Sequence, residues 1–183
     1  MNHHEYIDSL VEVIRKVENQ IDVDVIADTI EDSSIVITAG NGGSAATAMH
    51  LASDLVKGCS INAICLTDNT SLFTSYANDV SYEHAMAEMY NNIATGIYGT
   101  YPVVMFSGSG NSPNLIELAY AVEKRGDPII AITGYENSRL HNIVSNYKYG
   151  ISVHLNTNDM QIAEDIGMIL THIIYKTLKS SHS

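Results

Sequence analysis

Five short runs rich in β-branched and other apolar residues recur along the chain: Ile35–Ala39, Ile61–Leu66, Val103–Phe106, Pro128–Thr133 and Gly150–Leu155. Between them lie stretches whose apolar residues repeat at helical spacing, at 45–57, 71–77, 82–97, 113–125 and 159–179. Strands that alternate with helices leave little choice of architecture. Parallel neighbours need long crossovers, and the crossover helices cover both faces of the sheet. The expectation is an α/β fold, a three-layer αβα sandwich around a five-stranded parallel sheet. Ahead of it, residues 5–30 carry apolar positions such as Leu10, Val13, Ile14, Val17, Ile21 and Ile26. They predict one long helix, or two with a break near Asp22.

No linker, repeat or low-complexity stretch divides the 183 residues, so the chain reads as one domain over 1–183, a helical segment at 1–33 and an αβα core at 34–183. Acidic residues outnumber basic ones by 21 to 9, a net charge of −12. That balance excludes an electrostatic nucleic-acid binder and a polybasic membrane-surface protein. The apolar runs are too short for a membrane span, and Met1-Asn2-His3-His4-Glu5 lacks the basic start of a signal peptide. A cytoplasmic protein with no membrane or nucleic-acid partner is expected. Cys59 and Cys65 form neither a CxxC site nor a disulfide framework and read as packing residues.

Two loops at strand ends carry the chemical information. Gly40-Asn41-Gly42-Gly43-Ser44 follows the first strand, and Ser107-Gly108-Ser109-Gly110-Asn111-Ser112 follows the third. Ligands of open parallel sheets bind beyond the carboxyl ends of the strands. Glycines admit close backbone approach, serine hydroxyls donate to oxyanions, and a following helix N-terminus adds free N–H groups. Neither loop contains lysine, so neither is the triphosphate-binding GxxxxGK[ST] motif. A lysine-free serine cradle suits the single phosphate of a sugar phosphate. The same residues also allow two ordinary turns with serine helix caps.

These loops, with Ala48-Met49-His50-Leu51-Ala52, Asn78-Asp79, Ile132-Thr133-Gly134 and His172, resemble the SIS-domain sugar isomerases, and within them the phosphoheptose isomerase group. The resemblance runs over nearly the whole chain and implies a flavodoxin-like parallel sheet. It also implies a homotetramer with active sites between subunits, residues 1–30 and the last helix lying at the interfaces. The implied substrate contacts are Asn41, Gly42, Gly43, Ser44, Asn78, Asp79, Ser107, Gly108, Ser109, Ser112 and Glu164. The implied metal ligands are His50, Asp54, Glu164 and His172, with zinc as the cofactor, one per subunit.

The residues themselves support only part of that set. His50 and Asp54 are four apart and share a helix face. Glu164 and His172 are eight apart, about 12 Å along one helix, so a single ion reaches both only through long side chains, a bend or a second subunit. Three positions depart from the family pattern. Asp54 replaces a glutamate, Glu164 replaces a glutamine, and Gly108 replaces a threonine.

The chemistry implied is aldose–ketose isomerisation, converting D-sedoheptulose 7-phosphate to D-glycero-D-manno-heptose 7-phosphate through an enediolate, for heptose-containing cell-surface polysaccharide. Such a reaction needs a base for the proton α to the carbonyl and an acid for the oxygen. Asp54 is the expected base and His172 the expected acid. Two alternatives stay open: a non-catalytic SIS protein that binds a sugar phosphate or a partner, and an isomerase of another sugar phosphate.

Overall fold

A computed structural model describes residues 1–18, 21–95 and 99–181. Residues 19–20 of the expected N-terminal helix and 96–97 of the expected 82–97 helix lie outside the described residues.

The N-terminal stretch forms two helices, α1 (His3–Glu18) and α2 (Val23–Glu31). Asp22 starts the second: its side chain accepts from the Val25 N–H at 3.1 Å, satisfying one of the free donors at the helix start. The core then alternates: β1 (Val36–Ala39), α3 (Gly42–Cys59), β2 (Ala63–Cys65), α4 (Thr70–Asp79), α5 (Tyr82–Ala94), β3 (Val103–Ser107), α6 (Pro113–Arg125), β4 (Ile129–Thr133), α7 (Arg139–Asn146), β5 (Gly150–His154) and α8 (Met160–Ser181). Every strand pair is parallel, in the order β2-β1-β3-β4-β5. The α/β sandwich with a five-stranded parallel sheet is the architecture the alternation predicts.

Two elements differ from the expectation. Helix α7 has only eight residues, too short for its periodicity to stand out, and is set by Ser138, whose hydroxyl accepts from the His141 N–H at 3.0 Å. Helix α3 starts at Gly42 rather than near Ala45, so most of the first glycine loop is already the helix's opening turn. The opening N–H groups of a helix have no intrahelical partners, so glycines there leave those donors open to a ligand.

Both faces of the sheet are covered, and β3 shows how. Val104 and Phe106 point into the core beneath α1, α2, α3 and α8, while Val103 and Met105 point into the core beneath α5, α6 and α7. This two-residue alternation is the strand's pleat, and all four side chains are buried because parallel sheets bury both faces. The chain runs from β1 outward to β2, then returns across β1 to β3 and continues to β4 and β5. The connections therefore diverge between β1 and β3, whose Ala39 and Met105 are paired at their carboxyl ends. Among the described residues no helix is long and apolar enough to cross a membrane.

Candidate functional site

The two glycine–serine loops leave β1 and β3 at this divergence and line one cavity of about 270 Å³. Asn41, Gly42 and Ser44 come from the first loop, and Ser107, Gly108, Ser109 and Ser112 from the second. The N-termini of α3, α6 and α8 border the cavity through Gly42, Ser112 and Met160. Three helix starts bring their positive dipole ends to one place, which favours an anion, but the opening donors differ. At α8 the Asp159 carboxylate already accepts from the Gln161 and Ile162 N–H groups, and at α6 the Leu115 N–H is bonded to Asn114 and Ser112. The glycine-rich first turn of α3 is therefore the main source of open donors.

The serines are held differently. Ser107 is buried and its hydroxyl accepts from the Gly110 N–H at 3.0 Å, which shapes the second loop. Ser109 accepts from the Asn111 N–H at 3.2 Å. Ser112 is the N-cap residue of α6 without a side-chain capping bond, and Ser44 is buried on the first turn of α3. Asn41 does not cap α3 either. Its carboxamide exchanges two hydrogen bonds of 2.9 Å with that of Asn114, and its Oδ1 also accepts from the Tyr82 hydroxyl at 2.8 Å. Asn114 is fully buried, so the pair clamps the first loop to the start of α6. Neither Asn114 nor Tyr82 carries a sequence signal, since nothing in their local spacing marks a clamp across 73 residues.

Two glycines admit side chains from α8. A Cβ at Gly43 would overlap the Glu164 carboxylate, and a Cβ at Gly108 would overlap the Met160 sulfur. Met160 and Glu164 are four apart, one helical turn, and both line the cavity. Met160 thus fills the space that the threonine of the family pattern would need at position 108. Sequence reasoning missed Met160, because the first residue of a helix shows no face until its neighbours are known.

A second group of side chains lies farther along α3 and α8. His50 Nε2 stands 3.0 Å from His172 Nε2 and 3.3 Å from Asp54 Oδ2. The rings of His50 and His172 meet edge to face, with centroids 5.1 Å apart. One ligand atom from each of His50, Asp54 and His172 lies within 4.8 Å of the others. Glu164 is not part of this group; it sits at the level of the loops, against Gly43. Asn78 and Asp79 also stand apart. They are exposed at the end of α4, where the Asn78 amide donates to Asp79 at 2.8 Å, and neither lines the cavity.

Two imidazole nitrogens and a carboxylate oxygen are ligands suited to zinc. With Zn–N distances of about 2.0–2.1 Å, two tetrahedral ligands lie about 3.4 Å apart. The spacings of 3.0 and 3.3 Å need little adjustment to accept an ion, and three protein ligands leave a fourth position open to a ligand.

Comparison with known proteins bears on the family and the fold. Residues 4–134 match the SIS domain family model. A phosphoheptose isomerase of Alteromonas mediterranea is 28% identical over 162 residues, 86% of this chain and 79% of its own length. One of Aromatoleum aromaticum is 34% identical over 123 residues, 64% of this chain, and the match spans 61% of that relative's length. The solved phosphoheptose isomerase of Neisseria gonorrhoeae superposes with a TM-score of 0.85 at 23% identity, covering 96% of both chains. The cavity at the β1/β3 divergence, its two serine loops and the family match over most of the sequence agree: the chain belongs to the SIS domain family.

Proposed function

We propose that the protein is an aldose–ketose isomerase of a phosphorylated sugar, with sedoheptulose 7-phosphate as substrate. The observation that carries this reading is the placement of two unlike groups along one helix. The serine-lined cavity opens at Ser44, and the His50/Asp54/His172 group begins six residues farther along α3, about 9 Å in helical rise. Such an interval suits a ligand with its phosphate at one end and its reacting carbons several bonds away, as in an open-chain heptose phosphate. A triose phosphate is too short to span it. The names of the curated relatives support the same substrate class.

In this reading the helix starts and serine hydroxyls bind the phosphate and fix the sugar's direction. Asp54 and His172 face the carbonyl end. Asp54 takes the proton from the carbon next to the carbonyl, and His172 delivers one to the oxygen, since imidazole exchanges protons near neutral pH without a large shift. His50, within 3.3 Å of Asp54 and 3.0 Å of His172, orients both. In a zinc-bound form His50, Asp54 and His172 would hold the ion through these same atoms, proton transfer would fall to the uncoordinated Asp54 Oδ1 and His172 Nδ1, and the ion would supply positive charge beside the carbonyl. A binding module has no need of both histidines facing one another, which favours an enzyme over a regulatory protein. We propose a homotetramer in which α1, α2 and α8 meet a second copy. Its product would serve heptose-containing polysaccharide.

The test is incubation of the purified protein with sedoheptulose 7-phosphate, with and without added zinc, followed by detection of the aldose 7-phosphate. The expected result is net aldose formation. No aldose under either condition overturns the reading.

A further inference from the structure

Asparagine is a favoured N-cap residue because its side-chain oxygen accepts from the N–H of the second or third helical residue. Asn41 stands at the N-cap of α3 with extended backbone, φ −121° and ψ 149°, yet its side chain caps nothing. The caps of α2, α4, α5 and α7 behave otherwise: Asp22, Asn69, Ser81 and Ser138 each accept from the N–H three residues on. The counterpart for Asn41 is the Ser44 N–H, in the opening turn that borders the cavity.

The oxygen of Asn41 is held elsewhere, and the hydrogen bonds fix its identity. The Leu115 N–H donates to Asn114 Oδ1 at 3.1 Å, and a backbone N–H only donates, so this bond sets which end of the buried Asn114 carboxamide is oxygen. Asn114 Nδ2 then donates to Asn41 Oδ1 at 2.9 Å, and Asn41 Nδ2 returns the bond to Asn114 Oδ1 at 2.9 Å. With Asn41 Oδ1 an acceptor, the Tyr82 hydroxyl, 2.8 Å away, must be its second donor. Two donors fill the two lone pairs of Asn41 Oδ1, and none is left for the Ser44 N–H. Tyr82 is aimed by its surroundings: it is the first residue of α5, behind the Ser81 cap, and its ring meets Phe73 edge to face with centroids 5.7 Å apart.

We propose that Tyr82 is a positioning residue of the phosphate cradle. Its hydroxyl, together with Asn114, keeps Asn41 off the start of α3 and so reserves the Gly43 and Ser44 N–H groups for the phosphate of the ligand. Tyr82 does not touch the anion; it acts through Asn41. Without the hydroxyl, one lone pair of Asn41 Oδ1 is free, and the carboxamide can turn onto the Ser44 N–H as an ordinary cap. The helix then satisfies its own donors in competition with phosphate. This rests on the phosphate cradle of the proposed function and does not depend on which sugar is isomerised.

The test is Tyr82→Phe in the full chain, which removes the hydroxyl and keeps the ring against Phe73, measured alone and combined with Asn41→Ala. Two readouts are taken: calorimetric titration with inorganic phosphate, and amide hydrogen exchange at Gly43 and Ser44 by NMR without ligand. Tyr82→Phe should weaken phosphate binding about two- to five-fold, the factor by which a side-chain cap competes, and should slow exchange at Ser44. In the Asn41→Ala background, which has no cap to release, Tyr82→Phe should change neither readout. Wild-type phosphate affinity in Tyr82→Phe overturns the inference, and so does Ser44 exchange at the wild-type rate. An equal loss of affinity in both backgrounds also overturns it, because the hydroxyl would then reach the anion itself. If Asn41→Ala does not fold, exchange at Ser44 in Tyr82→Phe alone decides. No phosphate binding by wild type overturns the cradle and this inference with it; the exchange comparison needs no ligand and separates that failure from a failure of Tyr82 to hold Asn41.

Discussion

His50 on α3 and His172 on α8 bring their Nε2 atoms to 3.0 Å, although 122 residues separate them in the chain. Asp54 reaches the same place from one turn beyond His50. Both histidines are exposed, so the contact is not held in place by burial. It follows from the packing of α3 and α8 side by side on one face of the sheet.

His172→Asn should remove turnover without disturbing the fold. Asparagine hydrogen-bonds but does not exchange a proton near neutral pH. A general acid contributes about 10²–10⁴-fold, so kcat should fall by that factor or more. Exposed positions cost within about 0.5 kcal/mol when substituted, so the melting temperature should stay close to that of wild type. A fully active, fully folded variant would end the catalytic assignment of His172.

Metal binding can be read apart from activity. Titration of the metal-free protein with cobalt(II) should give visible absorption bands of a low-symmetry site that saturate near one equivalent per chain. His50→Ala and His172→Ala should each abolish the bands, while Glu164→Gln should retain them, because Glu164 stands outside the group. Loss of the bands in Glu164→Gln would return this residue to the ligand set.

The pairing of Gly108 with Met160 predicts a rescue. Gly108→Thr places a side chain where the Met160 sulfur lies, so this flexible, half-buried chain must swing aside, at a cost below that of overpacking a rigid core, about 1–3 kcal/mol. Met160→Ala in the same chain vacates that space and should recover most of the loss. Chemical denaturation of the two single variants and the double variant measures the coupling, and additive effects would refute the contact.

A second histidine pair sets an acid limit on stability. His141 and His154 stack with centroids 4.2 Å apart, His141 Nδ1 lying 2.9 Å from the Ser152 hydroxyl and His154 Nδ1 3.0 Å from that of Thr133. Burial pushes both below the ordinary value of 6.5, and His141 pushes His154 down further. The folded state therefore prefers them neutral. Their contribution is present above pH 6.5 and is lost as pH falls below it, where the unfolded chain binds protons more readily. The melting temperature should drop between pH 7.5 and 5.5, and His154→Gln should flatten that drop. An identical profile in the variant would show that other groups control it.

Much of the fold was legible in local patterns. Strand runs such as Val103–Phe106 are short, continuous apolar stretches bounded by turn residues, as a strand buried on both faces requires, Pro113 sits where a helix start tolerates it, and a helix break is marked near Asp22. The serine loops were legible because a turn, a helix start and an oxyanion donor call for a few residue types in a short stretch. The face shared by His50 and Asp54 was legible for the same reason, since helical period alone relates positions four apart. What local spacing does not encode is which helix lies against which. The approach of His172 to His50, the separation of Glu164 from that group, the seat of Met160 over Gly108 and the Asn41–Asn114 clamp all depend on packing between elements distant in the chain. Glu164 and His172 lie on one helix, about 12 Å apart along its axis. Only the placement of α3 beside them brings one to the cradle and the other to the histidine group, because the partners of a side chain are supplied by the neighbouring helix and not by its own.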